Sequence, residues 1–184
     1  MHVIAFVGMP GSGKSEASAY VTAKVFFSIR FGELVISEVQ RRGLPITPRN
    51  EQIVRENIRT NLGMDALAKT ALPWIREKLS ENQSVVIDGL YSLSEYKTLS
   101  SELRQHLIVL AIFTPKDIRY KRLESRAERP LTQIEARDRD FREIERLEKG
   151  GPIALADYTI LNDGNRSDFH ARLEVLINKI VGVI

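Results

Sequence analysis

The chain has 184 residues, 43% of them hydrophobic and 28% charged, which is enough apolar material for one well-filled α/β domain and too much for a disordered segment. Lys and Arg number 27 against 24 Asp and Glu, so the net charge is only +3, a balance that suits a pocket for polyanionic small molecules and does not call for nucleic acid. There is no cysteine, which excludes disulfides, thiolate zinc sites and cysteine nucleophiles, and His2, His106 and His170 are too scattered for a ligand set.

The first predicted element is His2–Val7, a short apolar run that reads as a buried parallel strand. Behind it stands Gly8-Met9-Pro10-Gly11-Ser12-Gly13-Lys14-Ser15, which fits G-x-x-x-x-G-K-[ST], the phosphate-binding P-loop. Ser15–Val21 then supplies helix formers, so strand, glycine turn and helix follow in the required order. Glycines at 8, 11 and 13 let the backbone approach an anion, and the N–H groups form a nest at the positive end of the helix. Lys14 is a point charge for the β and γ phosphates, and the Ser15 hydroxyl is a ligand for Mg²⁺. A dinucleotide fingerprint fits less well, because Gly11-x-Gly13 lacks its third glycine. The expected ligand is a nucleoside triphosphate.

Val25–Ile29 is aromatic and β-branched and predicts a second strand. Phe31–Val35 leads into a helix that Gly43 ends, and Leu44–Pro48 is a loop. From Asn50, an expected N-cap, to Leu62 runs an amphipathic basic helix with Arg55 and Arg59. Gly63 breaks it, and Met64–Leu79 is a further helix adjusted at Pro73. Residues 32–63 read as a helical flap on the sheet; a packed helical pair with solvated arginines is the competing reading.

In Ser84-Val85-Val86-Ile87-Asp88-Gly89 three β-branched residues predict a buried strand with an acid at its carboxyl end. Parallel sheets bind ligands at that end, and beside a P-loop Asp88 is placed to hold Mg²⁺ together with Ser15. Tyr91–Arg104 predicts a connecting helix, and Leu107–Phe113, the most apolar run in the chain, a central strand. Thr114 as cap and Pro115 at the first position open a helix carrying Arg119, Lys121, Arg122, Arg126 and Arg129. On it Arg122 and Arg126, four residues apart, share a face. After Pro130-Leu131-Thr132 comes the mixed-charge stretch Glu135–Lys149 with few apolar anchors, as in a helix covering a site from outside or a solvated helix with internal ion pairs. Residues 126–150 are the expected lid, closed by Gly150-Gly151-Pro152 as a flexible joint. Ala156–Leu161 is the last strand, Asn162–Asn165 a tight turn and Phe169–Val181 an amphipathic helix. The whole predicts a single domain over residues 1–184: a three-layer α/β/α fold around a parallel sheet of about five strands.

This order resembles the small nucleotide and nucleoside kinases of the P-loop class. The resemblance is carried by Gly8–Ser15, by the strand ending in Asp88-Gly89, and by Arg122-x-x-x-Arg126 before a charged lid. The ending Ala156–Asn162 looks like the final strand of dephospho-coenzyme A kinases, where the following turn borders the adenine, which implies a nucleotide contact at Asn162. The opening Val3–Ala17 and the stretch Arg42–Pro48 are similar to a mainly archaeal, adenylate-kinase-related family. One departure stands out. Adenylate kinases carry Gly-Asp-x-x-Arg where this chain has Gly32-Glu33-Leu34-Val35-Ile36, so their phosphate-gripping arginine is replaced by Ile36, with Arg41, Arg55 or Arg59 as substitutes.

The expected activity is transfer of the γ-phosphoryl group of ATP–Mg²⁺ to a small, nucleotide-like acceptor. Gly8–Ser15 hold the phosphates, with Ser15 and Asp88 on the metal. Arg126 closes on the transferring group with Arg122, Arg137 or Arg139, while Arg122 is alternatively placed over the adenine. Glu33, Arg55, Arg59 and Arg137 are the acceptor-side expectations. The alternative function is a slow ATPase that switches on a protein or RNA partner. A GTP switch is disfavoured, because no Asp-x-x-Gly follows the acid-ended strand and no Asn-Lys-x-Asp motif is present. With no membrane-length apolar run and no signal-peptide pattern, a cytoplasmic monomer or homodimer away from membranes is expected.

Overall fold

Every residue of β1 (Val3–Val7) is fully buried, which is possible only for a strand covered on both faces and hydrogen-bonded along both edges. In the computed structural model, which describes residues 1–182 except Val25 and Glu128, β1 is the middle strand of a parallel sheet. The other strands are β2 (Phe27–Arg30), β3 (Val85–Asp88), β4 (Leu107–Phe113) and β5 (Tyr158–Leu161), in the spatial order β2-β3-β1-β4-β5. Phe6 lies opposite Asp88 on one side and Leu110 on the other, so the P-loop and the acid leave the sheet at the same edge.

Alternation along the strands feeds two cores. Val3, Ala5 and Val7 face one cluster, closed by α2 (Phe31–Arg41), α3 (Pro48–Leu62), α4 (Ala66–Ser80) and α5 (Leu93–Leu103). Ile4 and Phe6 face the other, closed by α1 (Lys14–Thr22) and α9 (Arg166–Val181). Between β4 and β5 the chain makes α6 (Lys116–Glu124), α7 (Gln133–Leu147) and the short α8 (Gly150–Ala154). The three-layer architecture is the expected one. No helix among the described residues is long and apolar enough to cross a membrane.

Several local expectations are corrected. The second strand begins at Phe27, and Val25, where it was expected to open, lies outside the described residues. Thr47, not Asn50, caps α3: its hydroxyl accepts from the Asn50 N–H, while the Asn50 amide donates to the Pro45 carbonyl. Thr114 is no cap either, because it is buried against the P-loop and α6 begins at Lys116. That helix stops at Glu124, and Arg129 before Pro130 takes φ +54, so Arg126 and Arg129 stand beyond it and Arg122 and Arg126 do not share a helical face. Gly150-Gly151-Pro152 is the start of α8 rather than a free joint; a Cβ on Gly151 would come within 2.8 Å of Leu93 Cδ1. The last strand starts at Tyr158; just before it Asp157 donates its N–H to the Val109 carbonyl at 2.9 Å while its carboxylate accepts the Val109 N–H at 2.7 Å.

Candidate active site

The loop between β1 and α1 is shaped by contacts that only glycine allows. Gly11 takes φ +80, and a Cβ there would lie 2.8 Å from the Arg119 carbonyl oxygen; Gly13, the N-cap of α1, takes φ +103 with Asn162 pressed against the space of its missing Cβ. Lys14 folds back over the loop and donates to the carbonyls of Gly8 (2.8 Å) and Met9 (3.0 Å). Burial, reinforced by the charge of Lys149, pushes the Lys14 ammonium down to about 7, against the opposing pull of Glu143 and Asp88. The Ser12 hydroxyl is buried without a partner among the described residues, and Ser15 is exposed at the mouth. A cramped glycine cradle, an orphaned hydroxyl and a cation resting on main-chain carbonyls fit a polyphosphate.

The loop is braced from behind. Asn162 donates from its amide to the Ser12 carbonyl at 2.8 Å, and the Thr114 hydroxyl lies within hydrogen-bond distance of the carbonyl oxygens of Ser12 and Asn162. Arg119 donates to the Pro10 carbonyl at 2.9 Å and makes a bidentate pair with Asp140 of α7 at 3.0 and 2.7 Å. This buried pair ties α7 to the P-loop. Arg122 reaches Asn162 Oδ1 and the Gly164 carbonyl, both at 3.4 Å, so it stands over the turn after β5. Neither the Thr114 nor the Arg119–Asp140 role was expected from the sequence; only the place of Thr114 at the carboxyl end of a central strand hinted at it.

Asp88 ends β3 with its carboxylate 3.6 Å from Arg30, and burial raises its pKa despite the nearby charges of Arg30 and Lys14. Among the described residues no three His, Cys, Asp or Glu side chains form a metal cage. Ser15, exposed at the start of α1, and Asp88, at the end of the neighbouring strand, each offer a hard oxygen of the kind Mg²⁺ takes. Facing them is a charge cluster on the lid. Glu143 of α7 accepts from Arg139 at 2.9 Å and pairs with Lys149, which is fully buried with its ammonium 4.7 Å above the Tyr91 ring. Burial pushes the Glu143 carboxyl up, but Lys149 and Arg139 together more than offset this and hold it below its ordinary range. Arg126 is lowered by desolvation and then by the Arg139 charge.

Between α3 and α7 opens a cavity of about 540 Å³. Phe31, Met64, Leu67 and Tyr91 form its apolar floor, and its walls carry Arg55 and Arg59 from α3 with Arg139, Arg142 and Arg146 from α7. Of the expected acceptor residues, Arg55 and Arg59 lie on this wall, although Arg59 is engaged at 3.3 Å with Glu95, the fully buried capping residue of α5. Glu33 is exposed, paired with Arg30 at 3.6 Å, and not part of the lining. Arg41 pairs with Glu38. Arg137 lines a second, smaller hollow between α6 and α7. Tyr91, Arg142, Glu143 and Arg146 were missed, because their positions acquire meaning only when α7 is laid across α3.

A family profile described as an AAA domain matches residues 7–147. UPF0200 proteins of Thermococcus kodakarensis and Thermococcus gammatolerans are 36% and 35% identical over 182 residues, covering 97% of this chain and 98% and 95% of theirs. A dephospho-CoA kinase from Campylobacter jejuni superposes with TM-score 0.63 at 20% identity, over 97% of this chain and 96% of that one. A shikimate kinase from Acinetobacter baumannii, solved with shikimate, gives 0.58 at 18%, over 99% and 94%. At these identities the two structures share the fold.

Proposed function

The chain belongs to the UPF0200 family and carries an AAA domain of the P-loop kinase fold, and from that premise we propose that it transfers the γ-phosphoryl group of ATP to a small, nucleotide-like acceptor. One observation carries the reading. Helix α7 lines the cavity through Arg139, Arg142, Glu143 and Arg146 and is also tied to the P-loop, because Asp140 pairs with Arg119 and Arg119 donates to the Pro10 carbonyl, so the phosphate-holding loop and the cavity share one wall. A switch protein has no need of the second compartment.

The division of labour follows from position. Backbone N–H groups of residues 11–15 cradle the β and γ phosphates at the positive end of α1, and Lys14 leaves the Gly8 and Met9 carbonyls to neutralise charge developing between them. Ser15 and Asp88 would hold Mg²⁺, which would supply neutralisation of the phosphate charge. Arg122 with Asn162 borders the base, and Arg126 and Arg139 approach the transferring group from the lid, residues 126–150. The flap, residues 32–63, offers Arg55 and Arg59 to the acceptor. The acceptor oxygen attacks the γ phosphorus in line while the bond to the bridging oxygen breaks towards ADP. Closure of lid on flap excludes water and favours transfer over hydrolysis.

The test is ADP production from ATP–Mg²⁺ against nucleoside monophosphates, nucleosides and dephospho-coenzyme A, with a no-acceptor control. Stimulation by one acceptor together with its phosphorylated product is expected. Slow hydrolysis indifferent to all of them would replace the kinase with an ATP-driven switch.

A further inference from the structure

Basic side chains elsewhere on the surface are commonly neutralised by a close acid: Arg41 and Arg42 share Glu38, Lys78 meets Glu81, Arg76 meets Glu102 and Arg166 meets Glu16. The cavity between α3 and α7 is built differently. Its lining holds six arginines against three glutamates, an excess equal to the net charge of +3 on the whole chain. Three of the six are already engaged, Arg59 with Glu95, Arg129 with Glu51 and Arg139 with Glu143. The other three, Arg55, Arg142 and Arg146, have no acid within ion-pair distance among the described residues; Arg142 only donates from Nε to the Asp138 carbonyl at 3.3 Å. Arg142 and Arg146 are one turn apart on α7, where like charges oppose each other and destabilise the helix unless an anion joins them. Arg55 comes from the opposite wall, where Glu51 of α3 already meets Arg129, four residues before α7 begins, at 3.6 Å.

We propose that the acceptor carries a phosphate group and that this group is gripped across the cavity by Arg55 of α3 together with Arg142 and Arg146 of α7. The inference rests on the phosphotransferase reading of the same site and narrows it to phosphorylated acceptors. Guanidinium forks match phosphate oxygens in bidentate geometry, and three of them around one group more than offset a dianion that a single arginine leaves half compensated. Because the cations come from both flap and lid, acceptor binding itself draws the walls together. The grip also answers the departure at Ile36, since the phosphate-holding arginines are supplied from α3 and α7 instead of from α2.

The probe is inorganic phosphate titrated calorimetrically into the full chain after the P-loop has been filled with Mg–ADP. The wild-type chain takes up one phosphate, and Arg55→Met with Arg146→Met weakens that uptake at least about tenfold while leaving Mg–ADP affinity unchanged. Neither arginine leaves a buried acid unpaired when removed, so the double variant keeps its fold, as thermal melting will verify. Arg146→Lys, which keeps the charge and loses the fork, falls between the two, and Arg76→Met behaves as wild type. Wild-type chain that takes up no phosphate beside Mg–ADP, or a double variant that binds it as tightly as wild type, overturns the proposal. Failure of Mg–ADP to bind instead strikes the phosphotransferase reading, and the same titration on nucleotide-free wild-type and double-variant chains then still decides whether these arginines hold the anion.

Discussion

The P-loop and the cavity between α3 and α7 are built by opposite means. The loop is held by main-chain carbonyls and fixed side chains: Asn162 and Thr114 on Ser12, Arg119 on Pro10, and glycines where any Cβ would collide. The cavity is held by long side chains on two helices, and half of its arginines await a partner. A site for a constant ligand can be fixed in the backbone, whereas a site that selects among acceptors is written in side chains that change without disturbing the fold. Pre-organisation belongs to the donor side and adaptation to the acceptor side.

Substitutions in each region break or sharpen that contrast. The largest effect is expected at Arg119→Met, which strands Asp140 in a buried position and frees Pro10; loss of about 3–5 kcal/mol of stability should accompany weaker ATP binding. Chemical denaturation measures it, and the double change with Asp140→Leu should recover most of the stability, because two apolar groups leave no uncompensated charge. A donor loop that keeps full nucleotide affinity in Arg119→Met would show that its shape does not depend on the lid helix. Next comes Lys14→Ala. Its ammonium is desolvated at a cost, so the fold should be retained while phosphoryl transfer falls by about 10²–10³ or more. Full turnover in that variant would remove the donor site from this loop.

A smaller loss is expected from Arg126→Ala, on the lid between the two regions. If this arginine meets charge only as the phosphoryl group moves, kcat should fall about tenfold or more while the ATP KM changes far less. Equal changes in both would make it a nucleotide-binding residue and leave Arg139, fixed by Glu143, as the lid's contribution to the transition state.

The same contrast explains what could be read without coordinates. The P-loop, the acid at the end of β3 and the buried central strands are local signals, each complete within a few residues, and the sheet follows from them. The cavity is assembled from residues 31 to 67, Tyr91 and residues 129 to 147, which periodicity cannot bring together. Glu33 looked acceptor-facing by its place in a motif, yet the turn of α2 sends it to Arg30 and solvent. Arg126 looked helical by spacing, yet Arg129 and Pro130 end that geometry. The Ser92-x-x-Glu95 and Thr132-x-x-Glu135 capping boxes were legible in principle and mark the true starts of α5 and α7.

Arg137 and Arg142 bring the contrast down to a single helix. Both are arginines on α7 and both are exposed, and nothing in the local sequence separates them. The helix does. Arg142 faces the cavity with Arg139 and Arg146, three and four residues away, whereas Arg137 faces the hollow against α6 and meets only Asp138 at 3.8 Å. Arg137→Ala should therefore change kcat and the acceptor KM by less than about twofold, the usual yield of an exposed ion pair, while Arg142→Ala raises the acceptor KM by about tenfold. Steady-state kinetics with the acceptor found in the phosphoryl-transfer screen reads both. An Arg137→Ala variant as impaired as Arg142→Ala would mean that α7 rotates during closure and presents its other face to the substrate, and the acceptor side would then be assembled by motion and not merely filled by it.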